Sequence, residues 1–100
     1  MLFRSRAAHE NRIEMLDTII GGTRHVLDMA KMSQVSRVLL LSSGAIYGRQ
    51  PASLLHQPDD SVIACDPLSA ESAYGEGKRM MEVMGAIMQE QEAFEIVSAR

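Results

Sequence analysis

The fold of this 100-residue chain is decided by the stretch Val38-Leu39-Leu40-Leu41-Ser42-Ser43-Gly44. Its four apolar residues do not alternate with polar ones, which is typical of a strand buried on both faces of a parallel sheet. In open α/β sheets, ligands bind beyond the carboxyl ends of the strands, where Ser42 and Ser43 fall. The stretch therefore predicts a strand that delivers a hydroxyl to a binding site, and it also fits a plain exit from strand to loop.

A second segment, Ser72-Ala73-Tyr74-Gly75-Glu76-Gly77-Lys78, opens a helix predicted over about 72–91. The spacing of Tyr74 and Lys78 puts them one turn apart on the same helix face. A free phenol loses its proton only near pH ~10, so a tyrosine base at neutral pH needs a nearby positive charge. Lys78 can supply that charge, and a hydroxyl from Ser43 could orient the reacting oxygen. Both residue types are common on helices, so a proton-transfer site is predicted only from the two segments together.

The remaining elements follow from periodicity. Residues from about 11 to 33 have apolar side chains at helical spacing, and Glu95–Arg100 reads as a second buried parallel strand. Gly21-Gly22 interrupts the first helix at about 1 kcal/mol per glycine relative to alanine. This cost indicates either a close approach of another backbone or an exposed helix that tolerates two glycines. The predicted order is helix, strand, long loop, helix and strand, an α/β arrangement.

The second helix carries more apolar surface than one contact needs. Ser72 is its predicted N-cap, and its apolar arc exceeds the ~100° stripe of an ordinary surface helix. The methionines at 80, 84 and 88 could fill a core, since methionine adapts to irregular packing. We favour a second contact, a subunit interface.

The loop over residues 44–71 is rich in turn formers, and connections of this length are usually functional or disordered. Arg49, His56 and the Asp59-Asp60 pair could contact a substrate or could simply be solvated. Cys65 is the only cysteine, which excludes an internal disulfide and a cysteine-based zinc site, and we interpret it as an incidental thiol. No spacing of carboxylates or histidines suggests a metal site.

Composition excludes several classes of protein. A hydrophobic fraction of 46% with 23% charged residues is ordinary for a globular chain. The net charge of -3 gives no reason to expect nucleic acid or an anionic membrane surface. No apolar run approaches the roughly 20 residues that span a bilayer. The first residues lack the apolar core of a signal peptide, so we expect a cytoplasmic protein.

Taken in order, these motifs resemble the extended short-chain dehydrogenase/reductase family, which includes the NAD-dependent nucleotide-sugar epimerases and dehydratases. The resemblance runs from about Asp17 to Arg100 and rests on three groups of residues: Gly22-Thr23 with Val26-Leu27 and Ala30, Leu41 to Gly48, and Ser72-Ala73-Tyr74 through Lys78. It implies that residues 1–100 are part of a Rossmann-type domain, without its first βαβ unit and without the C-terminal substrate domain. It also implies NAD as cofactor (NADP is possible), a nucleotide-sugar substrate, and a homodimer through the helices over about 11–33 and 72–91.

The resemblance also assigns roles to three residues. Tyr74 moves the proton of the substrate hydroxyl as hydride passes to or from the nicotinamide. Lys78 favours the deprotonated phenol and holds the nicotinamide ribose. Ser43 binds the substrate oxygen and Tyr74. The catalytic residues are thus Ser43, Tyr74 and Lys78, with Tyr74 and Lys78 also binding cofactor and Ser43 and Tyr74 also binding substrate.

Two departures limit what the resemblance implies. The sequence contains no G-x-G-x-x-G or G-x-x-G-x-x-G turn for a pyrophosphate, so we expect the chain by itself to be inactive and to bind NAD poorly or not at all. Where 4,6-dehydratases usually carry Asp-Glu after the catalytic hydroxyl, this chain has Gly44-Ala45. Epimerisation, or a reductase or decarboxylase variant, therefore fits better.

Two other functions stay open. The chain could be a non-catalytic folding and dimerisation piece in which Tyr74 and Lys78 serve only packing and surface roles. It could also belong to a short-chain reductase of small carbonyl compounds, which downstream sequence would distinguish. A serine hydrolase is disfavoured because Ser42-Ser43-Gly44 lacks the G-x-S-x-G turn.

Overall fold

A computed structural model describes residues 11–48, 65–92 and 94–100 of the chain. In chain order the elements are α1 (Arg12–Met32), β1 (Arg37–Leu41), α2 (Ala73–Gln91) and β2 (Glu95–Ala99). Short 3₁₀ turns at Gly44–Tyr47 and Ala70–Ser72 follow β1 and precede α2. β1 and β2 pair in parallel, with Leu39 opposite Val97. The α/β arrangement predicted from the sequence is confirmed, with boundaries that differ by a residue or two.

Helix α2 packs against both the sheet and α1. A Cβ atom added at Gly85 would lie 2.8 Å from Cδ1 of Leu40, and one added at Gly77 would lie 3.0 Å from Cδ2 of Leu16 on α1. The two glycines therefore let the sheet and α1 approach the α2 backbone closely. Among the described residues, the buried apolar side chains come from α1, β1, the turn after β1, α2 and the residue before β2, and they are Leu27, Ala30, Leu40, Ile46, Tyr47, Met81 and Phe94.

Gly21 and Gly22 of α1 were predicted either to admit a close approach of another backbone or to lie on an exposed helix. Among the described residues, no atom beyond their own helix lies within 4 Å of a Cβ built at Gly21 or Gly22. The close approach of another backbone is therefore not found there, and this part of α1 is an exposed helix that tolerates two glycines. The close approaches of the fold are at glycines of α2 instead.

The prediction that β1 is buried on both faces is wrong for the part of the chain that the structure describes. Leu40 is buried on the face towards α2, whereas Leu39 and Leu41 are 60% and 67% exposed. Val97 of β2 is also exposed on that second face. Successive side chains of a strand point to opposite faces, so an unbroken apolar run shows that both faces suit burial. It does not supply the neighbour that would cover the second face.

Ser72 occupies the N-cap position of α2, as predicted, but its side chain makes no capping hydrogen bond. Its hydroxyl instead donates to the carbonyl oxygen of Asp66. The preceding 3₁₀ turn is capped by Ser69, whose Oγ accepts from the amide of Glu71 at 3.3 Å. The side-chain cap is therefore made by Ser69, three residues before Ser72.

Several predictions fall on residues outside the described ranges: those for residues 1–10 and those for Arg49, His56 and Asp59-Asp60 as substrate contacts. Within the described ranges, no helix is long and apolar enough to cross a membrane.

Candidate functional site

Lys78 reaches from α2 to the carboxyl end of β1. Its Nζ atom donates a hydrogen bond to the carbonyl oxygen of Leu41 at 3.0 Å. Leu41 is the last residue of β1 and directly precedes Ser42 and Ser43. The same Nζ atom lies 5.8 Å from the centroid of the Tyr74 ring, one helical turn away. Lys78, one member of the pair singled out in the sequence, thus meets the strand end that Ser43 follows.

Tyr74 is exposed and Ser43 is half-buried. The Tyr74 side chain is 42% exposed. Ser43 caps the Gly44–Tyr47 turn, and its Oγ accepts from the amide of Ala45 at 3.1 Å. Within the described residues, the Ser43 hydroxyl proton has no acceptor, and no hydrogen bond joins Ser43 to Tyr74. Ser43 can therefore donate a hydrogen bond to an oxygen atom of a ligand.

The hydroxyl of the neighbouring serine, Ser42, makes a contact within the protein. Ser42 Oγ donates to Oε2 of Glu82, a residue of α2 that lies one turn beyond Lys78. The backbone amide of Ser42 donates to the carbonyl oxygen of Ala99 at 2.7 Å, which extends the pairing of the two strands. Ser42 is therefore fixed within the protein, and Ser43 keeps a donor for a ligand.

Glu82 also binds Arg100, the residue that follows β2. The closest approach of the two side chains is 2.9 Å, from Nη2 of Arg100 to Oε1 of Glu82. Burial alone would raise the pKa of the Glu82 carboxyl, but hydrogen bonds from Arg100 and Ser42 outweigh burial and hold the pKa below its usual value. Glu82 is therefore ionised at neutral pH.

Neither Glu82 nor Arg100 was among the predicted site residues, yet the sequence carried signals for both. Glu82 continues the four-residue spacing of Tyr74 and Lys78 by one further turn. Arg100 follows the second predicted strand as Ser42 follows the first, and the carboxyl ends of parallel strands share one edge of a sheet.

Cys65 contacts the turn that contains Ser43. Its Sγ atom donates to the carbonyl oxygen of Ala45 at 3.1 Å. Burial, and then the negative charge of Glu76, raises the pKa of the Cys65 thiol, which disfavours the reactive thiolate. The thiol is therefore a packing and hydrogen-bonding group, and more than the incidental side chain expected from the sequence.

The site contains groups that can donate and accept a proton at an oxygen atom of a ligand. It combines an accessible phenol, a nearby ammonium group and a hydroxyl donor at the strand end. Among the described residues, no cluster of His, Cys, Asp and Glu could hold a metal ion.

This chain is similar to a known family and to individual curated proteins. The family described as "NAD dependent epimerase/dehydratase family" matches residues 3–100. UDP-glucuronic acid decarboxylase 5 of Arabidopsis thaliana is 33% identical over 91 residues, which are 90% of this chain and 26% of the relative. UDP-glucuronic acid decarboxylase 3 of the same plant is also 33% identical over 91 residues, 90% of this chain and 25% of the relative. The chain thus spans about a quarter of the length of the curated relatives that it matches.

Proposed function

Because the chain belongs to the NAD-dependent epimerase/dehydratase family, we propose that it carries the proton-transfer residues of an enzyme that acts on a nucleotide-linked sugar. One observation carries the proposal. The hydrogen bond from Lys78 Nζ to the Leu41 carbonyl joins the helix that carries Tyr74 and Lys78 to the strand end that Ser43 follows. The relatives are named for UDP-glucuronic acid, which makes this compound the first substrate to test.

The residues present fit one half of an NAD molecule. A ribose offers hydroxyl groups, and Lys78 and Tyr74 offer an ammonium donor and a phenol at the carboxyl end of β1. An ammonium group has three donors, so Lys78 can keep its bond to Leu41 while it donates to a ribose. The pyrophosphate half would need a glycine-rich turn that this sequence lacks. These residues would therefore hold the nicotinamide ribose.

Each residue has a distinct role in the proposed chemistry. NAD, when bound, supplies the means to take and return a hydride. Tyr74 Oη takes the proton of the sugar hydroxyl as that carbon is oxidised and gives it back on reduction. The positive charge of Lys78 stabilises the deprotonated phenol. Ser43 donates to the same sugar oxygen and stabilises the charge that develops there.

Gly44 and Ala45 narrow the reaction within the family. Neither residue has a side chain that could serve as acid or base, whereas elimination of water needs both. We therefore infer that the enzyme is an epimerase, a decarboxylase or a reductase. Ser43, Tyr74 and Lys78 would suffice for the oxidation and reduction steps of these reactions.

We also propose that the protein is a homodimer through α1 and α2. The two helices pack together, and each keeps apolar side chains outside the core. On α1, Val26, Met29 and Met32 are 51%, 66% and 84% exposed. On α2, Val83 and Ile87 are 45% and 48% exposed. A second copy would cover the exposed apolar side chains of both helices.

The catalytic proposal is tested on a form lengthened through its flanking coding sequence to the size of the relatives. NAD binding is measured by calorimetry and turnover with UDP-glucuronic acid and other UDP-sugars. We expect Tyr74→Phe to bind NAD normally and to lose turnover by about 10²- to 10⁴-fold. We expect Lys78→Ala to weaken NAD binding. The matched control is Lys31→Ala, which removes a lysine that pairs with Glu92 at the far end of α1 and should change neither quantity.

Two outcomes would contradict the proposal. If the lengthened form does not bind NAD, or if Tyr74→Phe keeps full turnover, the roles given to these residues are wrong. Dimerisation without NAD binding would instead favour a non-catalytic α/β module. Turnover of small carbonyl compounds in place of UDP-sugars would favour a short-chain reductase.

A further inference from the structure

The Glu82–Arg100 pair differs from the exposed ion pairs of this chain. Nε of Arg100 lies 3.2 Å from Oε1 of Glu82, and Nη2 lies 2.9 Å from the same oxygen. The side chains of Arg100 and Glu82 are only 30% and 15% exposed, whereas those of Arg37 and Glu95 are 68% and 55% exposed. Water screens the first pair less, so its geometry is held more firmly.

The pair binds both ends of the segment that contains Ser43. At one end, Glu82 accepts the hydroxyl proton of Ser42. At the other end, Nη1 of Arg100 donates to the hydroxyl oxygen of Tyr47 at 2.8 Å, and the guanidinium carbon lies 5.4 Å from the centroid of its ring. Tyr47 is buried, with 6% of its surface exposed. Residues 42–47 are thus fixed at both ends by one ion pair.

We propose that Glu82 and Arg100, with the hydroxyls of Ser42 and Tyr47 that they bind, form a positioning unit that sets the place of the Ser43 hydroxyl. We call this unit the Glu82–Arg100 clamp. Its catalytic consequence rests on the proposed function of Ser43, and its structural consequence does not. None of its four members needs to touch the substrate.

The position of Glu82 on α2 explains why the clamp can serve the site. Tyr74, Lys78 and Glu82 lie on successive turns of one helix. Lys78 binds the carbonyl of Leu41, and Glu82 binds the side chain of the next residue, Ser42. The clamp therefore ties Ser43 to the helix that carries Tyr74 and Lys78. A donor held in place before the substrate arrives needs no reorganisation during the reaction.

The structural part is tested on this chain by amide hydrogen exchange followed by NMR. The amide of Ala45, which donates to Ser43 Oγ, reports on the turn, and the amide of the buried Leu27 reports on the whole fold. We expect Glu82→Gln to speed exchange at Ala45 on the order of tenfold beyond any change at Leu27. Arg100→Lys keeps the charge but loses the two-pronged geometry, and it should give a smaller effect of the same kind.

The matched control is Glu95→Gln, which breaks an Arg–Glu pair at the opposite end of the same two strands. We expect it to leave the Ala45 amide unchanged. Equal changes at Ala45 and Leu27 in the clamp variants would show a general stabilising contact and overturn the proposal. An Ala45 effect as large in Glu95→Gln would do so too.

The catalytic part is tested on the lengthened form with Ser42→Ala and Ser42→Thr. Threonine keeps the hydroxyl that Glu82 binds, and alanine removes it. We expect Ser42→Ala to lower kcat on the order of tenfold with little change in KM, and Ser42→Thr to restore it. Equal kcat for Ser42→Ala and the parent would overturn the catalytic part. Retention of turnover by Tyr74→Phe would instead refute the proposed function and leave the amide-exchange result on the clamp intact.

Discussion

Two adjacent serines show how position decides the role of a residue. Ser42 and Ser43 carry the same hydroxyl, and both follow the same strand. Ser42 is bound through its side chain to Glu82 and through its amide to Ala99. Ser43 caps a turn through its oxygen and keeps its proton for another acceptor. The helix that lies over the strand end makes this distinction.

Glu82 gives the stability of the chain a specific dependence on pH. Its folded-state pKa lies below the ordinary glutamate value of about 4.3. The ionised carboxylate therefore stabilises the folded state fully above that value, and this contribution is lost as the pH falls through the lowered pKa. We expect Glu82→Gln to be about 1–2 kcal/mol less stable than the parent chain at pH 7. The difference should shrink towards zero in acid.

The measurement is urea unfolding of both chains at a series of pH values from 7 down to 3. Glu95→Gln serves as the control, because its exposed pair with Arg37 should contribute less than about 0.5 kcal/mol at any pH. A difference for Glu82→Gln that stays constant into acid, or grows there, would show that the Glu82 charge does not stabilise the fold.

At the scale of elements, α2 organises the described part of the chain. Its side chains bind backbone or side-chain groups of β1, of the following turn and of β2. Arg79 donates from Nη2 to the carbonyl of Ile46 at 3.1 Å, and Oε1 of Gln89 accepts from the amide of Ile96. The polar side of this helix is therefore used for internal contacts as well as for solvation.

Glycines of α2 set how closely its neighbours approach, which leads to a paired prediction. A Cβ added at Gly75 would clash with the backbone carbonyl of Ala45 and with Sγ of Cys65, whereas one added at Gly22 meets open space. Since the carbonyl cannot move aside freely, we expect Gly75→Ala to lower stability by about 1–3 kcal/mol. Gly22→Ala should raise it by about 0.5–1 kcal/mol, because alanine favours the helix.

Both variants are measured by urea unfolding of the same chain. The substitution is identical and both positions are helical, so helix propensity acts in the same direction in each. A stabilisation by Gly75→Ala comparable to that by Gly22→Ala would mean that α2 does not lie as close to the turn as the structure places it.

At the scale of the whole molecule, two apolar surfaces remain uncovered among the described residues. One consists of the exposed side chains of α1 and α2. The other is the sheet face formed by Leu39, Leu41 and Val97. Large exposed apolar patches commonly mark interaction sites in soluble proteins, so each surface is a candidate contact site.

The proposed dimer predicts that charges on the helix surface separate the subunits. We expect the lengthened form to sediment as a dimer, and Val83→Glu or Met29→Glu to shift it to a monomer, because each places a carboxylate in the proposed contact. Leu68→Glu is the control: Leu68 is 94% exposed and lies on neither helix. Analytical ultracentrifugation over a range of concentrations measures the change. A dimer unaffected by either helix variant would place the contact elsewhere.

The sequence by itself determined the elements and their order. Helical spacing located α1 and α2, and an unbroken apolar run located β1. These are local properties of the chain, which periodicity and spacing express directly.

Only the tertiary structure decided which groups meet across elements. The Ser72 hydroxyl donates to the Asp66 carbonyl in place of a capping hydrogen bond, and Gly77 and Gly85 rather than Gly22 are points of close approach. Among the described residues, β1 is covered on one face alone. Glu82 and Arg100 meet although they lie 18 positions apart in the chain. Spacing along a chain specifies the face on which a side chain lies, whereas its partner depends on which face of another element packs there.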